Sequence, residues 1–314
     1  LVQSMRASSA KELSSFLQQL QKTLKDATPK MDKEQIASML QELFYQINQV
    51  DGLRNRKTPI IGYDVLKDVS RDSNIAGEVC RMALEKNKIG TIVFVTPELG
   101  RFSTIGGIGV LINELTKTLA ELGSEVVVIS PYYNMNKKGQ QGYLKNEGIS
   151  QIGSVTVDVG HEPTSCGVHY GRENNVDMYF LHNYDNFPMA YPPFNAERHL
   201  RSAVLLGKAS LQLMCDKGIK PSLVITNDWF TGMVPAYAKY SFGDYFKGTT
   251  FFHIVHNLEK GYIGDLYPDR DLSYIHELPG ELVNNPGPTS INMSMCALKC
   301  SDNWGTVRDR KSVV

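Results

Sequence analysis

The chain has 314 residues, which is enough for one large domain or two ordinary ones. Its 33 basic and 33 acidic residues cancel, so the composition argues against a nucleic-acid binder that depends on a surplus of positive charge. A hydrophobic content of 42% is typical of a folded globular protein, and no apolar run reaches the roughly 20 residues of a membrane-spanning helix.

The cysteines predict neither a disulfide framework nor a zinc site. They are five in number, scattered, and without a CxxC pair. We therefore expect a reducing compartment, with the cytoplasm as the first choice. The chain begins at Leu1, so we expect a fragment or a processed chain from which a targeting peptide could be missing.

The first 87 residues are predicted to form a helical extension. Apolar residues recur every three or four positions in Lys11–Ala27 and again from Ile36 to Ile47, which predicts a helical hairpin over residues 1–57. Packing of this hairpin on its own domain is the simpler interpretation, and self-association or partner binding is the alternative. A further helix at Ser73–Glu85 makes residues 58–87 a helical linker segment.

Residues 88–314 are predicted to form an α/β domain. The apolar runs Thr91–Val95 and Glu125–Ser130 are typical of buried parallel strands, and the helical spacing of Ile108–Leu122 ends at Gly123, a residue suited to a helix C-terminus. This order is a βαβ unit, and it predicts a Rossmann-like, mostly parallel sheet with helices on both faces. Further strands are predicted at Ser154–Val159, Val176–Leu181, Leu223–Thr226 and Thr249–His256, and further helices at Glu197–Asp216, Gly232–Tyr240 and Asn292–Lys299.

A glycine-rich turn follows the first predicted strand. Gly106, Gly107 and Gly109 stand at the start of a helix, where free backbone N–H groups can face an anion such as phosphate. The alternative is that these glycines only permit tight packing of strand and helix. A dinucleotide fingerprint is excluded because Ile112 replaces its third glycine and no acidic residue follows Ser130, and a phosphate loop is excluded because there is no Gly-Lys-Ser/Thr.

Polar residues also follow two later strands. Asp228 could cap the next helix, and Trp229 offers an apolar plate for a sugar face, although most tryptophans are simply packed. His256 and Asn257 can bind hydroxyl groups, although a lone histidine is more often structural. In open α/β sheets, ligands bind beyond the carboxyl ends of the strands, so we expect Gly107, Asp228 and His256 to meet at one hollow.

These motifs together resemble the bacterial and plant type of starch and glycogen synthases, over roughly Gly90 to the end of the chain. Asn227-Asp228-Trp229 resembles the family's HDWH segment, and His256-Asn257-Leu258 resembles its IHNL segment. The turn Thr104–Leu111 resembles the family's KTGGLGDV. The run from Ile291 to Ala297, with Gly305-Thr306-Val307 after it, is similar to the stretch that closes the family's first domain.

The resemblance implies a retaining glucosyltransferase that extends an α-1,4-glucan from ADP-glucose or UDP-glucose. It implies two facing Rossmann-like domains (the GT-B architecture), with the acceptor mainly on the first and the donor nucleotide mainly on the second. Gly106 and Gly107 would contact the donor's phosphates, and Asp228 and His256 would lie at the reacting glucose. We count Thr104, Arg101, Trp229 and Asn257 as further substrate-binding candidates, and we expect no metal and no resident cofactor.

Three departures from the family's motifs bear on activity. Thr104 replaces the Lys of the glycine motif and Val110 replaces its Asp, and Arg101 is a nearby cation that could substitute for the Lys. Arg308 stands where the family has the Ser of its TVS turn. The donor-binding motifs of a second domain are not found before Val314, so we expect a truncated protein that is inactive alone. The remaining alternatives are a non-catalytic glucan-binding or regulatory relative and a glycosyltransferase with another acceptor.

Overall fold

The computed structural model describes residues 89–136, 138–257, 264–284 and 290–307. They belong to a unit that spans Ile89–Val314. The predicted helical hairpin 1–57 and the linker segment 58–87 lie outside the described residues, so self-association through the hairpin stays a prediction. Leu258 and Arg308 also lie outside them. No helix in the described part of the chain is long and apolar enough to cross a membrane.

Ten strands and seven α-helices make up the described residues. The strands are β1 (Ile92–Val95), β2 (Val126–Tyr132), β3 (Ser150–Val159), β4 (Glu162–Glu173), β5 (Val176–His182), β6 (Leu223–Asn227), β7 (Thr250–Val255), β8 (Asp265–Leu266), β9 (Ile291–Asn292) and β10 (Asn303–Thr306). The helices are α1 (Gly100–Ser103), α2 (Gly107–Glu121), α3 (Ala196–Lys217), α4 (Val234–Tyr240), α5 (Ser273–His276), α6 (Gly280–Val283) and α7 (Met293–Cys300).

The main sheet has eight strands in the order β10-β7-β6-β1-β2-β5-β4-β3. The pairs from β10 to β5 are parallel, whereas β5, β4 and β3 are joined antiparallel. Val93 and Val95 pack into one buried cluster with α3, and Ile92 and Phe94 are buried on the opposite face. The predicted Rossmann-like, mostly parallel sheet with both faces covered is therefore confirmed.

The antiparallel part of the sheet differs from the sequence prediction. Strand β3 begins at Ser150 rather than Ser154, and β4 was not predicted at all. The two strands are joined by the two-residue turn Gly160-His161, in which both residues have φ of +64°. Such a turn matches the twist of a hairpin. In β3, the last residues alternate between buried and exposed, as expected for a strand with one solvated face.

The helix boundaries follow local capping chemistry. Helix α2 ends at Glu121 and Gly123 follows with φ of +93°, which confirms the predicted C-terminus. The side chain of Asn195 accepts a hydrogen bond from the Arg198 amide and begins α3. The helix predicted at Gly232–Tyr240 begins later, at Val234, because a short 3-10 turn (Trp229–Thr231) occupies the residues after β6.

Candidate active site

The carboxyl ends of β1, β6 and β7 lie side by side. Val95 pairs with Thr226 in β6, and Thr226 pairs with His253 in β7, so the three parallel strands end at the same edge. Asn227 is the last residue of β6, and Glu98, Asp228 and His256 follow the three strand ends. These four residues are called the edge cluster below.

Glu98 is the residue that organises the glycine turn, and sequence analysis did not identify it. Its side chain is 1% exposed, and its Oε2 accepts the N–H groups of Ile105 (2.9 Å), Gly106 (2.9 Å) and Gly109 (3.3 Å). The expectation of a free amide at Gly106 is therefore wrong, because a carboxylate of the chain itself already accepts that N–H. The Glu98 carboxylate thus lies where the N-terminus of a helix would otherwise bind an anion from solution.

The glycines of this turn serve different purposes. Gly106 precedes α2 and Gly107 is its first residue. A Cβ on Gly107 would meet no atom within 4 Å, so packing does not require glycine there. A Cβ on Gly109 would collide with Thr104, so the packing alternative holds for Gly109. An exposed Gly107 is compatible with close approach of a ligand, which stays a prediction.

The two polar candidates before the glycines already have partners. The hydroxyl of Thr104 donates to the carbonyl oxygen of Gly100. The guanidinium of Arg101 forms ion pairs with Glu147 and, at 3.0 Å, with Glu173. Neither side chain joins the edge cluster through these contacts, and their assignment to a donor phosphate stays a prediction.

His256 is held as a neutral base next to a carboxylate. Its Nε2 lies 3.1 Å from Oδ1 of Asn227, which can only accept a hydrogen bond, so Nε2 carries the proton. Burial lowers the pKa of His256 to about 4, and the nearby Glu98 carboxylate opposes this shift. Nδ1 is then left as an acceptor that can take a hydrogen bond from a sugar hydroxyl.

Asp228 has the strained backbone typical of a positioned residue. Its φ is +65°, its side chain is 2% exposed, and its N–H donates to the carbonyl oxygen of Ile254 (2.9 Å). The side chain makes no capping hydrogen bond to the 3-10 turn that follows, so the helix-cap interpretation is wrong. Left-handed backbone at an aspartate costs free energy and is found at functional sites, where the surrounding structure maintains it.

Trp229 lies in a hollow next to the edge cluster. This hollow, called the aromatic hollow below, has a cavity volume of about 20 Å³ and is lined by Pro97, Tyr133, Asn186, Met189, Tyr191, Pro192, His199, Ser202, Trp229 and Phe230. Its lining does not include Gly107, Asp228 or His256, so it is a second part of the site beside the edge cluster, and a hollow shared by those three residues stays a prediction.

Tyr191 joins these two parts. Its hydroxyl donates to Oε1 of Glu98 at 2.7 Å, and its φ is +53°. Tyr191 lies 93 positions from Glu98, so only the fold could reveal the contact. The structure thus brings Gly106, Asp228, His256 and Trp229 to one region, with Glu98 and Tyr191 as members that sequence analysis missed. Asn257 is half-buried directly after His256.

The described residues contain no group of three or more His, Cys, Asp or Glu side chains arranged to hold a metal ion. What the site offers instead is a buried carboxylate, an acceptor nitrogen, the N-terminus of a helix of 15 residues and a set of aromatic rings. Aromatic rings with a few fixed polar groups are typical of sites that bind small organic ligands.

Comparison with known proteins identifies the domain. Residues 91–310 match the family described as the starch synthase catalytic domain. A glycogen synthase of Streptococcus pneumoniae (strain Hungary19A-6) is 31% identical over 186 residues, which cover 56% of this chain and 37% of that protein. The chain thus spans little more than a third of this curated relative.

A solved structure has the same fold. It is the catalytic domain of starch synthase IV from Arabidopsis thaliana bound to ADP and acarbose, with a TM-score of 0.57 and 18% identity. The match covers 69% of this chain and 44% of that one. Because the family match includes well over half of the residues, the chain belongs to the starch synthase catalytic domain family.

Proposed function

We propose that this chain forms the acceptor-side half of a retaining glucosyltransferase that extends an α-1,4-glucan from a nucleotide-glucose. The observation that carries the proposal is the edge cluster beside the aromatic hollow, joined by the contact of Tyr191 with Glu98. Membership of the starch synthase family and the similar glycogen synthases support the same activity.

The charges of the edge cluster suit glycosyl transfer. Positive charge develops at the anomeric carbon, as in glycoside hydrolysis, while negative charge develops on the leaving phosphate. The carboxylates of Glu98 and Asp228 are both almost fully buried, where they favour a nearby positive centre. The N-terminus of α2 faces the Glu98 carboxylate, so a donor phosphate would be left with the exposed backbone at Gly107. Nδ1 of His256 would accept a hydroxyl of the transferred glucose.

The proposal treats the nucleotide-glucose as a substrate and needs no resident cofactor. ADP-glucose and UDP-glucose both remain candidate donors. A cytoplasmic location belongs to the proposal too, and it is supported by the free thiols of Cys166, Cys215, Cys296 and Cys300.

Glucan binding and glucosyl transfer test the proposal separately. In native gels, we expect glycogen, but not the α-1,6-glucan dextran, to retard the chain. The intact gene product, rather than this chain alone, should incorporate radiolabelled glucose into glycogen from one of the two donors, and His256→Ala in that protein should reduce incorporation by at least tenfold. The exposed variant Glu121→Ala is the control. Retardation without incorporation from either donor would favour the non-catalytic glucan-binding alternative, and equal migration in both gels would exclude an α-1,4-glucan ligand.

A further inference from the structure

One edge of the main sheet lies along β3. Strand β3 is the last strand in the order of the described sheet, with β4 on its inner side. The turn Gly160-His161 joins the two strands, and Val159 pairs with Glu162 on either side of this turn. In a hairpin with a two-residue loop, the closing pair exchanges backbone hydrogen bonds, and every second residue of each strand then faces the other strand. The residues between them direct their N–H and C=O groups outwards.

Three residues of β3 direct their backbone groups away from the sheet in this way. They are Ser154, Thr156 and Asp158, and all three are exposed. The carbonyl oxygen of Asp158 accepts a hydrogen bond from Nζ of Lys208 (2.9 Å), which agrees with an outward direction. Among the described residues, no hydrogen bond outside the strand ladder reaches the backbone of Ser154 or Thr156. These two residues are called the open edge below.

Strand β3 is protected at its two ends but not at the open edge. Proteins usually protect a sheet edge with charged side chains, proline or a β-bulge, because an unprotected edge can pair with another chain. In β3, the register shifts between Gln151 and Gly153 at one end, and Lys208 bonds to Asp158 at the other. Between them, the stretch Ser150–Val157 contains neither proline nor a charged residue. The open edge is therefore suited to pairing with a further strand.

We propose that the open edge pairs antiparallel with the open edge of a second copy of this chain, so that the two main sheets become continuous. With the twofold axis at Val155, Thr156 of each copy lies opposite Ser154 of the other. Outward-facing residues opposite each other in an antiparallel sheet exchange both N–H···O bonds. Threonine and serine side chains in this position can also bond to each other across the strands. The pairing is thus self-complementary.

The distribution of charge favours a second copy as the occupant of this edge. Asp158 is the one charged residue in the sequence of β3, and the same axis places it opposite Ile152 and not opposite the Asp158 of the second copy. This matters because like charges directly opposite each other destabilise a sheet. The whole chain has a formal net charge of zero, so two copies do not repel each other through an excess of charge.

Proline at the open edge tests the proposal. Thr156→Pro removes an N–H group that the strand ladder does not use, and an edge strand tolerates proline at such a position. By sedimentation velocity, we expect the parent chain to show a monomer–dimer equilibrium between low micromolar and submillimolar concentrations. Thr156→Pro should raise the dimer Kd at least tenfold. Thr156→Lys should do the same without a change of backbone, because it brings two like charges close to the axis.

Ser165→Ala is the matched control. The hydroxyl groups of Thr156 and Ser165 lie 2.7 Å apart in a hydrogen bond, so all three variants lose this bond while Ser165→Ala leaves the edge intact. Its dimer Kd should stay within twofold of the parent value. Hydrogen exchange gives a second measurement, in which the amides of Ser154 and Thr156 should exchange more slowly as the concentration of the parent chain rises.

Three results would overturn the proposal. The first is a parent chain that stays monomeric over the whole range of concentrations. The second is equal dimerisation of the parent and both Thr156 variants, which would assign the contact to another surface, such as residues 1–57. The third is exchange of the Ser154 and Thr156 amides that does not depend on concentration. Each of these results would leave the proposed function standing, because strands β4, β5 and β2 separate β3 from β1.

Discussion

Replacement of Glu98 should disrupt the glycine turn more than any other single change in the edge cluster. Four donors converge on this carboxylate: the N–H groups of Ile105, Gly106 and Gly109 and the hydroxyl of Tyr191. In Glu98→Ala, water can reach the exposed Ile105 and Gly106, whereas Gly109 is buried and Tyr191 half-buried.

The structure sets the expected size of this effect. An unsatisfied buried donor costs about 1–3 kcal/mol, so the two donors that water reaches poorly lead us to expect a loss of about 3 kcal/mol in the free energy of unfolding. Glu98→Gln keeps one oxygen for the N–H groups, and its NH2 group can donate to the Tyr191 hydroxyl, which also accepts, so its cost should be about 1 kcal/mol. With a urea slope of about 2–3 kcal/mol per M, Glu98→Ala should lower the midpoint by about 1–1.5 M.

Urea titration followed by tryptophan fluorescence measures this effect, because Trp229 and Trp304 both belong to the described domain. Glu121→Ala, at an exposed ion pair of α2, is the control and should shift the midpoint little. The reasoning is refuted if Glu98→Ala costs less than about 1 kcal/mol, or if Glu98→Gln costs as much as Glu98→Ala.

Three further predictions concern packing, pH and a buried ion pair. Gly109→Ala should lower the free energy of unfolding by about 2 kcal/mol, because the new Cβ would collide with Thr104. Gly107→Ala should lower it by less than about 0.5 kcal/mol, and thermal unfolding of the two variants measures the difference. Burial lowers the pKa of His256 to about 4, so on acidification this imidazole is protonated in the unfolded chain at a higher pH than in the folded chain. Stability that is present above about pH 6.5 is therefore lost towards pH 4, and His256→Gln should flatten this slope in urea midpoints measured against pH. The buried Lys208 forms an ion pair with Glu277, so Lys208→Met should lower the free energy of unfolding by about 2 kcal/mol. In a Glu277→Gln background, this loss should be smaller by at least about 1 kcal/mol. Additive losses in the two variants would contradict the pairing.

Local patterns in the sequence predicted the parallel half of the fold. Continuous apolar runs identified β1 and β2, and Gly123 marked the end of α2. These signals are local, since both strand faces are buried and the helix needs a left-handed residue at its end. The predicted sheet followed from them.

Strand β4 was missed because its signal is weak. It contains Pro163, Gly167 and Gly171 together with exposed polar residues. Its strand character comes from pairing with β3 on one side and β5 on the other, which no short window of sequence displays.

The site was predicted in part for a similar reason. Motif positions identified His256, Asp228 and Trp229 as residues that follow strands. The partner of the glycine turn was not identified, because Glu98 contacts amides seven to eleven positions later and Tyr191 much farther along the chain. The ion pairs of Arg101 likewise join it to residues brought close only by folding.

A crystal structure of the chain with maltotriose tests the central claim most directly. The account predicts that maltotriose lies at the carboxyl ends of β1, β6 and β7, with one sugar hydroxyl donating a hydrogen bond to Nδ1 of His256. Maltotriose bound on another face of the domain, away from His256, would contradict it.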